Sequence, residues 1–102
     1  MESLMSPYKI FRALAHPARV RIVQELSDGG EKCVCDLVKA CGLGWSTTSR
    51  HLSVLRTAGV IVDEKRGLQI FSRLKLKCVA QFIDCIEQQI PESAERKSEC
   101  CF

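Results

Sequence analysis

Apolar residues return every third or fourth position in five stretches of the chain, and alternate in a shorter one. Ile10, Phe11 and Leu14 form a stripe that predicts a helix from Pro7 to Ala15, with Ser6 as its cap and Pro7 in the first turn. That helix ends near His16, because the following Pro17 disfavours helical backbone before it. Pro17 opens a second helix, with Val20, Ile22, Val23 and Leu26 turned inward, and Asp28-Gly29-Gly30 stops it. Val34, Leu37, Val38 and Cys41 predict a third helix over Glu31 to Cys41, closed by Gly42. After the tight turn Leu43-Gly44-Trp45, a fourth runs from Ser46 to Ala58 on Leu52, Leu55 and Ala58. Two helices joined by a glycine-containing turn make a helix-turn-helix.

The period then changes. Val60–Glu64 and Leu68–Arg73 are β-prone, with Lys65-Arg66-Gly67 between them, which predicts a hairpin with a basic tip. Leu76 to Ile90 is helical again, and Pro91 ends it; Val79, Phe82, Ile83, Ile86 and Ile90 follow one helix face. The expected fold is mainly α with a small β-hairpin, a winged helix-turn-helix of five helices and a two-stranded wing. Residues 1–92 are expected to form one DNA-binding and dimerisation domain, and residues 93–102 a flexible tail ending in Cys-Cys-Phe. The first and last helices carry more apolar surface than one small core needs, so a homodimer through them is expected.

Composition narrows the class. With 102 residues, 46% of them hydrophobic, the chain is one ordinary domain, short enough that a monomer is marginal and a dimer a natural remedy. Aromatic residues are only 6%, so the core is aliphatic. No apolar run approaches a membrane span, and Met1-Glu2-Ser3-Leu4 does not begin an export signal; a cytoplasmic protein away from membranes is expected.

Charge is unevenly placed. Residues 1–80 carry thirteen basic and seven acidic side chains, and residues 81–102 two and five. Residues 45–80 alone hold seven Lys/Arg against two acids, on the fourth helix and the hairpin. Ser46, Thr47, Thr48, Ser49 and Arg50 offer short hydroxyls and a guanidinium to phosphates and base edges, and Lys65 and Arg66 can reach backbone or minor groove. Double-stranded DNA is the expected partner. The two histidines read as structural: His16 orders the corner before Pro17, and His51 lies within the fourth helix.

Cysteine is over-represented, with seven: Cys33, Cys35, Cys41, Cys78, Cys85, Cys100 and Cys101. An odd count without an export signal points to reduced thiols acting as buried fillers, metal ligands or redox sensors. There is no Cys-x-x-Cys, no phosphate-binding glycine loop and no recognisable Cys-His spacing, so an enzyme is not expected.

The runs Phe11-Arg12-Ala13-Leu14-Ala15-His16-Pro17-Ala18-Arg19-Val20-Arg21-Ile22 and Ser49-Arg50-His51-Leu52-Ser53-Val54-Leu55-Arg56-Thr57-Ala58-Gly59-Val60 resemble the ArsR/SmtB family of dimeric, metal-responsive winged-helix repressors. Glu31-Lys32-Cys33-Val34-Cys35-Asp36-Leu37 resembles the ligand motif of its arsenical-resistance branch, and the cadmium/lead branch shares the Cys-Val-Cys. The resemblance implies an operator-bound homodimer released when trivalent arsenic or antimony binds cysteine thiolates. Cadmium or lead at the same site, or a thiol redox switch, are the alternatives it leaves open. A third thiolate is needed for arsenic; the family's usual position for it holds Val38, which leaves Cys41, or Cys100 and Cys101 in the tail, as sources. Cys78 and Cys85 flank the stripe of the last helix and read as packing at the dimer seam, and that helix lacks the histidines of the zinc branch. Thiolates suit soft ions, and a helix N-terminus lowers a thiol's pKa. On a regular helix Cys33 and Cys35 point about 200° apart, so shared chelation is expected to unwind that turn.

Overall fold

A computed structural model describes the backbone of residues 2–90. Five helices and three strands follow in the order α1 (Glu2–Ala13), α2 (Pro17–Gly29), β1 (Glu31–Cys33), α3 (Val34–Cys41), α4 (Trp45–Ala58), β2 (Ile61–Arg66), β3 (Gln69–Leu74) and α5 (Lys77–Gln89). This is a winged helix-turn-helix, as the pattern predicts, with three departures.

The first is the start of α1. It begins at Glu2, not Pro7, and Pro7 lies inside it. Glu, Leu and Met ahead of the proline are strong helix formers, and one missing backbone bond near an end does not break the helix. The second is β1. Residues Glu31–Cys33 form a strand instead of the first turn of a helix, because β3 offers them a free edge: Glu31 faces Arg73, Lys32 faces Ser72 and Cys33 faces Phe71. Helical periodicity cannot register a three-residue strand whose partner lies some forty residues on. The wing is therefore three-stranded, in the order β1-β3-β2 and antiparallel throughout. The third is the hairpin tip. Lys65 and Arg66 belong to β2, and the turn is Gly67-Leu68, with Gly67 at φ 62° supplying the positive φ that a two-residue hairpin demands.

The helix ends follow the expected chemistry. His16 caps α2, its Nδ1 accepting from the Ala18 N–H at 3.0 Å, with Pro17 first in the helix. Gly42 leaves α3 in left-handed backbone (φ 71°), which turns the chain sharply into α4.

The core gathers around α2. Ile22, Val23 and Leu26 are shut from solvent and meet Leu37 of α3, Leu52 and Leu55 of α4, Leu74 of β3, and Val79 and Ile83 of α5. Val60 and Ile61 extend this core into the wing; the Val60 carbonyl accepts from Lys75 and Leu76 and so ties the hairpin's two ends together. The stripe of α5 divides. Val79 and Ile83 point inward, while Phe82, Ile86 and Ile90 stay exposed, as do Tyr8 and Phe11 of α1. Phe11 and Phe82 meet edge to face, centroids 6.0 Å apart.

Leu55→Ala removes a fully buried side chain at the α2–α4 contact and is expected to cost about 2–5 kcal/mol in urea unfolding. Leu68→Ala, at the fully exposed turn, is expected to change stability by less than about 0.5 kcal/mol.

Candidate thiol site and nucleic-acid interface

The β1–α3 junction brings two sulfurs together. Cys33 ends the strand in extended backbone (φ −66°, ψ 148°) and caps α3, its Sγ accepting from the Cys35 N–H at 3.4 Å. The Cys35 thiol donates to the same sulfur at 2.8 Å. The expected opposition of the two side chains applies only to two helical residues, and Cys33 is not helical. No unwinding is needed to join them, and that expectation is corrected. For Cys35 the expected lowering of the thiol pKa is corrected too. At Cys35 the thiol is pushed up: the hydrogen bond to Cys33 holds its proton, burial adds to this, and negative charge on Cys33 or Asp36 opposes ionisation.

The other thiols lie apart from this pair. Cys41 is half-buried at the far end of α3, its thiol raised chiefly by burial, and it packs against the core. Cys78 and Cys85 are exposed on α5. Cys100 and Cys101 lie outside the described residues. Among the described residues no three His, Cys, Asp or Glu side chains converge to hold an ion.

Helix α4 presents Ser46, Thr47, Ser49 and Arg50 to solvent. Thr48 does not join them. It is fully buried and shares the inward face with His51, Leu52 and Leu55 at helical spacing, its hydroxyl unpaired. Arg56 pairs with Asp63 of β2, whose other oxygen accepts from the buried Ser72 hydroxyl at 2.8 Å. Arg66 is held back: Glu31 lies 2.6 Å and Glu64 3.0 Å from its guanidinium, which sits 4.9 Å over the Phe71 ring. Both acids of the 45–80 stretch are thereby engaged. Its basic surplus rests on Arg50, Lys65, Arg73, Lys75 and Lys77, all exposed and unpaired with acids among the described residues.

Sequence reasoning missed Arg19, which fastens α4 to the helices before it. Its Nε donates to His51 Nδ1 at 3.1 Å and its Nη1 to the Ala13 carbonyl at 3.2 Å. His51 also lies against the His16 ring, centroids 4.4 Å apart. The signal was present in His16-Pro17-Ala18-Arg19, where a capping residue and an arginine three positions on share one end of a helix. As an acceptor, His51 Nδ1 has no room for a proton, and its pKa is lowered by burial first and then by His16, Arg19 and Arg50.

Comparison with known proteins agrees with this geometry. The sequence profile described as "Bacterial regulatory protein, arsR family" matches residues 16–62. The chain is 35% identical over 86 residues to the "Arsenic resistance transcriptional regulator ArsR1" of Pseudomonas putida, covering 84% of this chain and 66% of that protein. It is 42% identical over 72 residues to the "Arsenical resistance operon repressor" of Escherichia coli, covering 71% and 62%. The chain thus spans just under two thirds of these relatives' length. The crystal structure of the transcriptional repressor BigR from Xylella fastidiosa superposes with a TM-score of 0.77 at 29% identity, over 88% of this chain and 91% of that one.

The lowered pKa of His51 sets a pH dependence. Below the ordinary histidine value of 6.5 the unfolded chain binds a proton that the native site refuses. Stability is therefore full above that pH and is lost as pH falls toward and through the native value. His51→Asn keeps an acceptor for Arg19 without a titrating ring. Melting followed by circular dichroism between about pH 7.5 and about pH 5.5 is expected to show a shallower fall for this variant than for the parent chain.

Proposed function

Because the chain belongs to the arsR family of bacterial regulatory proteins, we propose that it is a transcriptional repressor that binds operator DNA as a homodimer and is released by trivalent arsenic or antimony. The observation that carries this reading is the sulfur pair of Cys33 and Cys35, 2.8 Å apart at the start of the first helix of the DNA-binding unit. Two soft donors already in contact suit a thiophilic ion. A metal–thiolate bond of about 2.3 Å asks sulfurs sharing one ion to stand roughly 3.3–3.8 Å apart, a small opening from where they lie. One or both of Cys100 and Cys101 supply the further thiolate for an inorganic ion.

Release follows from what the ion takes away. The Cys33 sulfur caps α3, and its strand holds the wing through Phe71. Drawing that sulfur onto an ion removes the cap and pulls on the strand that carries it. An ion that favours the altered junction disfavours the DNA-bound form by the same free energy. On the DNA side, Ser46, Thr47, Ser49 and Arg50 enter the major groove and Lys65 follows the backbone. Arg66 joins it where phosphate replaces its acids. The exposed apolar faces of α1 and α5, with Tyr8, Phe11, Phe82, Ile86 and Ile90, join the two protomers.

Fluorescence anisotropy on a duplex from the chain's own promoter tests this. Serine is a good helix cap, so Cys33→Ser is expected to keep operator affinity within about threefold and to lose the arsenite response. Loss only in Cys100→Ser/Cys101→Ser moves the site to the tail. Release by cadmium, lead or peroxide alone replaces the inducer, and absence of binding to promoter DNA removes the repressor reading. Arg50→Ala is expected to lower the dependence of log affinity on log salt by about one.

A further inference from the structure

Two basic residues end β2, and the wing treats them differently. Lys65 is exposed and pairs with no acid among the described residues. Arg66 reaches across β3 from β2 toward β1. Its Nη2 lies 2.6 Å from Glu31 Oε2 and 3.0 Å from Glu64 Oε1, and its guanidinium sits 4.9 Å over the Phe71 ring. The Glu64 carboxyl is held below its ordinary value, first by the hydrogen bond from Arg66, so this pair stays ionised at neutral pH. Stability does not call for the arrangement: all three side chains are a third or more open to water, and ion pairs so exposed add little to a fold. Their effect on a charged partner is larger. One positive and two negative groups sum to −1, at the end of the wing that the proposed function sets against DNA.

A single phosphate does not undo this cage. It exchanges one carboxylate for another anionic oxygen and leaves the second carboxylate without its cation. An arginine neutralised beforehand also yields less of the counterion release on which affinity for ordinary duplex rests. A narrow minor groove offers more. Phosphates stand on both of its walls, and their fields add to a strongly negative potential that attracts arginine. A·T pairs present only acceptors there, and the fork of N–H donors on a guanidinium fits them. Such a groove replaces both carboxylates at once.

We infer that Glu31 and Glu64 are specificity-determining residues, which withhold Arg66 from duplex at large and yield it to the narrow minor groove of an A·T-rich tract. This deepens the proposed function and rests on its reading of the wing as a DNA contact. Lys65, a hydrated point charge with no acid beside it, serves any phosphate. Glu31 is in place only because residues 31–33 pair with β3, so a bare two-stranded hairpin would carry one acid of the two.

Three duplexes of equal length test this by fluorescence anisotropy with the full reduced chain and no inducer: an A-tract, a G·C sequence and the chain's own promoter. The parent chain is expected to bind the A-tract at least fivefold more tightly than the G·C duplex. Glu31→Gln/Glu64→Gln keeps side-chain shape and removes charge. It is expected to tighten the G·C duplex at least fivefold and the A-tract less than twofold, and to leave the melting temperature unchanged. Its dependence of log affinity on log salt, on G·C, is expected to steepen by about one. In an Arg66→Ala background the same two substitutions are expected to tighten the G·C duplex less than twofold. A parent without A-tract preference, or glutamine variants that leave the G·C affinity where it was, overturns the filter. So does equal tightening with and without Arg66, which reduces the acids to general repulsion. The promoter keeps the two readings apart. A-tract preference without promoter binding overturns the operator reading and leaves the filter standing, whereas promoter binding without A-tract preference overturns the filter alone.

Discussion

The pairing of Glu31–Cys33 with Phe71–Arg73 is the constraint on which the rest of this molecule depends. Three residues drawn into extended backbone by the edge of β3 stop α3 from starting earlier. Cys33 thereby becomes a cap instead of a helical residue, and its sulfur lies within reach of the next thiol. The same pairing covers an edge of β3 that would otherwise offer open hydrogen-bonding groups. It also sets Glu31 beside Arg66, so that wing and junction share an ion pair as well as a ladder. Were residues 31–33 helical, the sulfurs would oppose each other and the wing would be a bare hairpin.

A second joint governs α4. Arg19 reaches the end of α1 with one nitrogen and His51 of α4 with another, while His16 caps α2 and stacks on His51. Three helices meet at this cluster of partly buried polar groups. Apolar packing alone permits a helix to slide or rotate by small steps, whereas directed hydrogen bonds select one angle. Because α1 also carries the exposed Tyr8 and Phe11, the joint connects that apolar face with the helix that presents Ser46, Thr47, Ser49 and Arg50.

Much of this was legible from the residues. The helix-turn-helix and last helix follow from periodicity and from the stops at Gly42, Gly59 and Pro91, because such signals are local. Cys33 and Cys35 stood out through their chemistry. What could not be read was whatever depends on distant partners. The strand character of Glu31–Cys33 comes from Phe71–Arg73, and the thiol geometry and Cys35's raised pKa follow from that strand. Thr48 was misplaced for a related reason: in a run of four hydroxyl residues, only the position of the core decides which one turns inward.

Size also decides how such a molecule can respond to an inducer. The polar contacts among junction, wing and α4 are modest ones: the Arg66–Glu31 pair, the Arg56–Asp63 pair with its Ser72 hydrogen bond, and a three-residue ladder. Exposed ion pairs contribute about 0–1 kcal/mol each and a neutral hydrogen bond about 1 kcal/mol. Two or three of them altered together amount to roughly 1–3 kcal/mol, the range of ordinary coupling between sites and enough to change an affinity roughly 5- to 150-fold. The buried core around α2 contributes far more. On the proposed reading, an ion at Cys33 and Cys35 would act on the weak links between wing, junction and α4, and would release DNA without unfolding the domain.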